Sequence, residues 1–346
     1  KNPEKIEEFS SNLSYCKELA LDLVQSCLDG LKYVPIKAMD KNIVLEAVRK
    51  NVSSLQYVPD NMEFYKEVVL ETVKGNGLAL QYVSKEKMDN EIILEAVKQN
   101  SLALQYVPKK LIDKEIALVS VNQNGFALQY VPRRIIDKEI VLAAINQISY
   151  AILYVPKDIK DYRDILFISL RKIGEVSEEI TDENQIALEA VRRDTLVLQY
   201  VPTDLKSYKE IALEAVKRNG YALQYASKKI IDIDIALAAI QSHTPILLTI
   251  RYIPKNIEGY REVLFVALRK LGQVSDDVNS EKEIALAAVR MDANALQYVP
   301  TDIEGYKEVA LAAISKKPEV KKYIPPLLRL AYKFNIDFLY INIYGE

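Results

Sequence analysis

EIALVSVNQNGFALQYVPRRIID, residues 115–137, decides the fold, because variants of it follow one another along almost the whole chain. EIILEAVKQNSLALQYVPKKLID precedes it at 91–113, and EIALEAVKRNGYALQYASKKIID returns at 210–232. Ile116, Ala117, Leu118 and Val121 fall at helical spacing among good helix formers. Asp113 and Asp137 stand where an N-cap belongs, and the pairs Asn124-Gly125 and Asn219-Gly220 suit a left-handed C-cap. Each unit therefore opens with a helix of about ten residues. A second, shorter helix covers FALQYV and stops at Pro132, which has no amide hydrogen to donate and biases its predecessor away from helix. PRRII reads as a turn into the next cap.

The tyrosine of the LQYVP-like segment marks the register: Tyr33, Tyr57, Tyr82, Tyr106, Tyr130, Tyr154, Tyr200, Tyr225, Tyr252, Tyr298 and Tyr323. The period is 24 to 25 residues, with two gaps where degenerate units sit. A two-helix unit this short cannot cover its own apolar face, so neighbours must stack and share one core. The expected fold is all-α, an α-solenoid of about thirteen helical-hairpin repeats. Residues 1–324 read as one array, with 1–40 an atypical first repeat. Residues 325–346 read as a capping segment whose apolar tail, Phe338 to Ile341, could equally form a contact surface.

A longer period overlies the short one. YVPKDIKDYRDILFISLRKIGEVSEEI, from Tyr154, reappears from Tyr252 as YIPKNIEGYREVLFVALRKLGQVSDDV, an offset of 98 residues. This relates 154–251 to 252–324 and predicts equivalent surfaces about 40 Å apart, four units at roughly 10 Å each. In the degenerate units, 166–176 and 264–274, both the Gln-Tyr pair and the proline are lost, so they are expected to bend the array.

With 46 basic against 48 acidic residues the net charge is −2, so there is no global basic field and nucleic acid is disfavoured as a partner. Cys16 and Cys27 match neither a metal nor a redox motif, and a reducing compartment suits them. No apolar run approaches the roughly 20 residues needed to cross a bilayer, and no signal peptide opens the sequence. The chain begins at Lys1, without methionine, as a trimmed protein would.

Catalysis finds little to work with. His243 is the only histidine and has no partner cysteine near it, and Gly75 and Gly77 lack the lysine of a phosphate-binding loop. The expectation is a non-enzyme without cofactor or metal. Gln56, Gln81, Gln105, Gln129, Gln199, Gln224 and Gln297 recur directly before the marker tyrosine. They form either a buried amide row bonded to the next unit or a row that reads a bound peptide. Glu46, Glu71, Glu95, Glu189 and Glu214 precede a base by three residues, as solvated same-face pairs do. A second tyrosine set, Tyr65, Tyr162, Tyr208, Tyr260 and Tyr306, occupies the cap position and in the second half recurs in every other unit. Tyrosine combines an apolar body with a polar tip and is enriched at binding hot spots. These five, with Arg171, Lys172, Arg269 and Lys270 of the degenerate units, are the candidate partner-binding residues, packing against the adjoining turn being the other reading of the tyrosines.

The pattern DKEIxLxAVxxNGxALQYVP resembles the repeat known as domain of unknown function 4116, over nearly the whole chain. The tyrosine-capped flavour, the two units without Gln-Tyr and both ends depart from it. The resemblance carries over no catalytic or binding residue. It implies a repeat module of larger proteins, bacterial effectors among them, and so an intracellular or host-cytosolic setting. Three functions are open on the sequence: a scaffold for a protein or peptide, a helical-repeat RNA binder, and the substrate-recognition part of a larger enzyme.

Overall fold

The computed structural model describes residues 13–326 and 328–329. Most of the expected C-terminal cap, with its apolar tail, lies outside these residues. Within them the chain divides into two compact units, the first ending at Ser169 and the second beginning at Leu170, the division falling inside a helix. Each unit is a stack of short α-helices alternating with 3-10 helices, and no strand occurs among the described residues.

The first unit holds α1 (Leu13–Ser26), α2 (Lys41–Lys50), α3 (Tyr65–Gly75), α4 (Asn90–Gln99), α5 (Lys114–Gln123) and α6 (Lys138–Gln147), and it ends within α7 (Tyr162–Gly174). The second holds the rest of α7, α8 (Glu183–Arg193), α9 (Tyr208–Arg218), α10 (Ile233–Gln241), the single turn α11 (Ile246–Thr249), α12 (Tyr260–Gly272), α13 (Glu281–Met291) and α14 (Tyr306–Lys316). Leaving α11 aside, thirteen α-helices among the described residues mark thirteen repeats.

In the repeat of α5, the Asp113 carboxylate accepts the Ile116 amide at 2.9 Å and so caps the helix. The helix buries Ile116, Ala117, Ser120 and Val121 and ends at Asn124. Asn124 is not left-handed, as the Asn-Gly pair suggested: its φ and ψ are −149° and 109°. Its side chain instead accepts the Phe126 amide at 3.0 Å, so one residue closes the α-helix and starts the next element.

That element, Gly125–Tyr130, is a 3-10 helix of six residues, long for its kind. Residues three apart eclipse one another in a 3-10 helix. Gly125 and Leu128 therefore share the buried side, while Phe126 and Gln129 share the outer one. Gly125 is required by proximity and not by dihedral angle. A Cβ there would stand 2.3 Å from the Ala144 carbonyl oxygen at the end of α6. The turn after Pro132 closes with one more 3-10 turn, Arg133–Ile135.

Two flavours of helix start alternate with this frame. Asp40, Asp89, Asp113, Asp137, Asp182 and Asp232 cap with their carboxylates. Where tyrosine stands at that position the helix begins one residue earlier, and Phe64, Ser207, Gly259 and Gly305 make no side-chain cap. Neighbouring starts are tied by cations. Lys114 reaches Asp137 of the next repeat at 2.6 Å, Lys66 reaches Asp89 at 2.7 Å and Lys209 reaches Asp232 at 2.5 Å. Each partner is more than one third exposed, so these pairs contribute little apiece and act as register marks.

Candidate functional site

The five cap tyrosines do not form a surface row. Tyr65, Tyr208 and Tyr306 are buried, at 4%, 3% and 4% exposure, and only Tyr162 and Tyr260 are partly open. The physical reason is the early helix start, which puts the ring under the turn that closes the same repeat. There the Tyr65 hydroxyl accepts the Ser84 amide at 3.3 Å, and the Tyr208 hydroxyl accepts the Ser227 amide at 3.2 Å. Ser84 and Ser227 replace the proline that most repeats carry after the marker tyrosine, and proline has no amide hydrogen to give. Tyrosine and serine 19 residues apart are thus one coupled device, visible in the sequence as a paired departure from the repeat. Burial raises the Tyr65 and Tyr208 hydroxyls above their ordinary pKa, and pushes Tyr306 up to about 12.

The bases of the degenerate units are tied to the fold as well. Arg171 donates to the Ser177 carbonyl at 2.8 Å, and Arg269 donates to the carbonyls of Asp276 and Val278 at 3.1 and 2.7 Å. Both clamp the loop that replaces the missing 3-10 helix. Lys270 donates to the carbonyls of Ile240 and Ser242, each at 2.7 Å, while Lys172 is exposed. The glutamate rows make the expected same-helix pairs at Glu46–Arg49, Glu95–Lys98 and Glu189–Arg192. Elsewhere they cross repeats, since Glu71 pairs with Arg49 and Glu214 with Arg192, while Glu214 also pairs with Arg218 of its own helix.

The glutamine row is exposed, which overturns the expectation of a buried amide row. Gln56, Gln81, Gln105 and Gln129 of the first unit, and Gln199, Gln224 and Gln297 of the second, all face outward. The turn count explains it: with three residues per turn, the fifth position of the 3-10 helix lies over the second, away from the core. Four of the side chains are nevertheless held. Gln81 donates to the Leu78 carbonyl at 3.1 Å, and Gln129 to that of Phe126 at 3.0 Å, as Gln199 does to Leu196 and Gln297 to Asn294. Each amide so fixed keeps its oxygen and its second N–H for another molecule.

The surroundings of the row differ from one end to the other in the first unit. Successive 3-10 helices pack side by side there, which brings equivalent positions into line. Lys32 takes the glutamine position in the first repeat, with its ammonium 5.8 Å from the Tyr33 ring centroid. Four amides follow, and then Leu153, 53% exposed, next to Tyr150, 39% exposed. Tyr57, Tyr82, Tyr106 and Tyr130 lie half-buried beside the amides. Phe126 meets Tyr154 of the next repeat edge to face, with 6.2 Å between ring centroids. The unit thus presents a cation, a row of amides edged by aromatic rings, and an apolar end.

Among the described residues no group of three or more His, Cys, Asp or Glu is placed to hold a metal, and no helix is long and apolar enough to cross a membrane. What the fold and this face define is an α-helical repeat protein of solenoid type. The family is shown by sequence: the profile described as "Domain of unknown function (DUF4116)" matches eight times, at 16–63, 40–88, 65–112, 89–136, 113–160, 184–231, 208–258 and 281–329. The chain belongs to that family, and each match spans two of the repeats. The segment 161–183, which contains the first degenerate unit, falls between matches. Comparison with curated proteins and with solved structures finds no match.

Proposed function

We propose that the chain is a non-catalytic scaffold that holds an extended segment of another protein on the 3-10 face of its first unit. The observation behind this is the exposed row Gln56, Gln81, Gln105 and Gln129, in which the amides of Gln81 and Gln129 are oriented by their own helices. A primary amide with one acceptor and one donor free is complementary to a peptide group, which offers one of each. Repeats stacked at roughly 10 Å match about three residues of a strand rising 3.3 Å per residue. Four amides, separated by three intervals, therefore span about nine residues of peptide. The half-buried tyrosines supply flat apolar contact at small entropic cost. Lys32 at one end and Tyr150 with Leu153 at the other favour a peptide that is acidic at one end and apolar at the other.

The test is a selection from a random peptide display library on the whole chain and on a variant with these four glutamines changed to alanine. The expected result is a set of enriched peptides that the variant fails to retain. Equal enrichment on both proteins overturns the proposal, and retention of single-stranded RNA in place of peptides would redirect it to nucleic acid.

A further inference from the structure

In the second unit the 3-10 layer has a gap. The repeat of α12 has no 3-10 helix, because α12 runs on to Gly272 and its chain then turns at Gln273 into the loop before α13. The preceding repeat is altered too. Between Gln241 and Tyr252 it inserts Ser-His-Thr-Pro and the turn α11, where the repeat of α5 passes directly from Gln123 to its 3-10 helix. The space vacated is a cleft of about 910 Å³, open to solvent. Its walls are the α11 segment and the 3-10 helix Ala293–Tyr298, and the C-terminal end of α12 lies between them. Tyr298 donates from its hydroxyl to the Leu247 carbonyl at 3.2 Å and so ties the two walls together.

The lining has a definite chemistry. Arg251 is exposed, and among the described residues its guanidinium stands over the Tyr252 ring, 4.8 Å from the centroid, with no carboxylate against it. Lys270 adds a second cation, held on two carbonyl oxygens with no acidic partner among the described residues. Asp292 is the only carboxylate of the lining, and its Oδ1 is occupied by the backbone and side-chain nitrogens of Asn294, both at 2.9 Å. Beside these charges stand Leu248 and Met291, 43% and 51% exposed, two of the larger apolar groups the protein leaves open. Cations without a carboxylate partner among the described residues, beside exposed apolar side chains, are complementary to an acidic residue flanked by large apolar ones.

We infer that this cleft is a second docking site, for a protein segment in which a glutamate or aspartate stands next to leucine- or phenylalanine-like side chains. The carboxylate meets Arg251, which can bond it with two parallel N–H groups, and the apolar neighbours cover Leu248 and Met291. The site goes beyond the glutamine face of the first unit and does not depend on it.

The test is fluorescence anisotropy of the whole chain with labelled peptides of about ten residues. Each has glutamate, glutamine or phosphoserine at its centre, flanked by leucine and phenylalanine. The glutamate peptide is expected to bind about tenfold more tightly than the glutamine one, as a charge-assisted bond requires. Arg251→Gln, at an exposed position, is expected to erase that preference with an unchanged melting temperature. Leu248→Ser with Met291→Ser is expected to weaken both peptides alike. Equal affinity for glutamate and glutamine, a preference kept by Arg251→Gln, tighter binding of phosphoserine, or no binding of any peptide each overturns the inference. None of these results bears on Gln56, Gln81, Gln105 and Gln129, so failure here is distinct from failure of the first site.

Discussion

Changing Tyr208 to alanine will destabilise the second unit by roughly 3–5 kcal/mol, the range for emptying an aromatic site in a core. The ring is 3% exposed, at the start of α9, and its hydroxyl holds the Ser227 amide at 3.2 Å. Alanine removes the ring's contacts and leaves a cavity between α9 and the following turn. Phenylalanine fills the same space and deletes only the hydroxyl, so its cost is about 1 kcal/mol: Ser227 is half-buried, and water can partly replace the lost acceptor. In a domain of this size 1 kcal/mol shifts the melting temperature by roughly 2–4 °C, which separates the variants by about 4 °C or more. Urea unfolding followed by circular dichroism reads both costs from the midpoint at constant m. A Tyr208→Ala protein whose midpoint lies within about 0.5 kcal/mol of the parent would refute the reasoning and return the cap tyrosines to the surface.

Gln273 adopts a left-handed conformation, φ 54°, without being glycine; Gln273→Gly should therefore stabilise the protein by about 1 kcal/mol, measured as a rise in urea midpoint. In a double-mutant cycle of Tyr65→Phe and Ser84→Pro, proline should cost stability while the tyrosine hydroxyl needs the Ser84 amide, and should become neutral or stabilising with phenylalanine; a coupling energy of about 0.5–1.5 kcal/mol is expected, and strict additivity would deny the pair. Burial raises the carboxyl pKa of Asp89, Asp137 and Asp232, but the capped amides and the partner lysines lower it further, so each ends below its ordinary value. Their contribution is therefore full above the unfolded value of about 3.9 and is lost as pH falls through the folded values, so the melting temperature should drop steeply below about pH 4 and less steeply in a Lys66→Met, Lys114→Met, Lys209→Met protein.

Much of the fold was legible because the repeat writes its own boundaries. Asp113 and Asp137 cap as read, the α-helix has the expected length, and Pro132 ends the second element. What misled was the geometry of FALQYV. Six residues fit an α-turn or a 3-10 helix equally well on paper, and only the second places Gln129 over Phe126 and outside the core. The Asn-Gly pair misled for a related reason: asparagine side chains can take an amide two residues on, and here Asn124 does so from an extended backbone. The fate of Tyr65 and Tyr208 was in principle readable, since each departs from the repeat together with a serine 19 residues later. The cleft at Arg251 was not. It arises from a 3-10 helix that is absent in one repeat and a segment that is lengthened in the one before, so no local pattern encodes it.

The central claim is that stacking belongs to the caps and recognition to the outward amides of the first unit. Its most direct test measures two quantities on one protein, the variant with Gln56, Gln81, Gln105 and Gln129 all changed to alanine. Affinity for a peptide selected on the parent should fall by about 100-fold, four bonds at roughly 0.7 kcal/mol each, while the urea midpoint stays within about 0.5 kcal/mol. Unchanged affinity, or lost affinity accompanied by a collapsed midpoint, would contradict it.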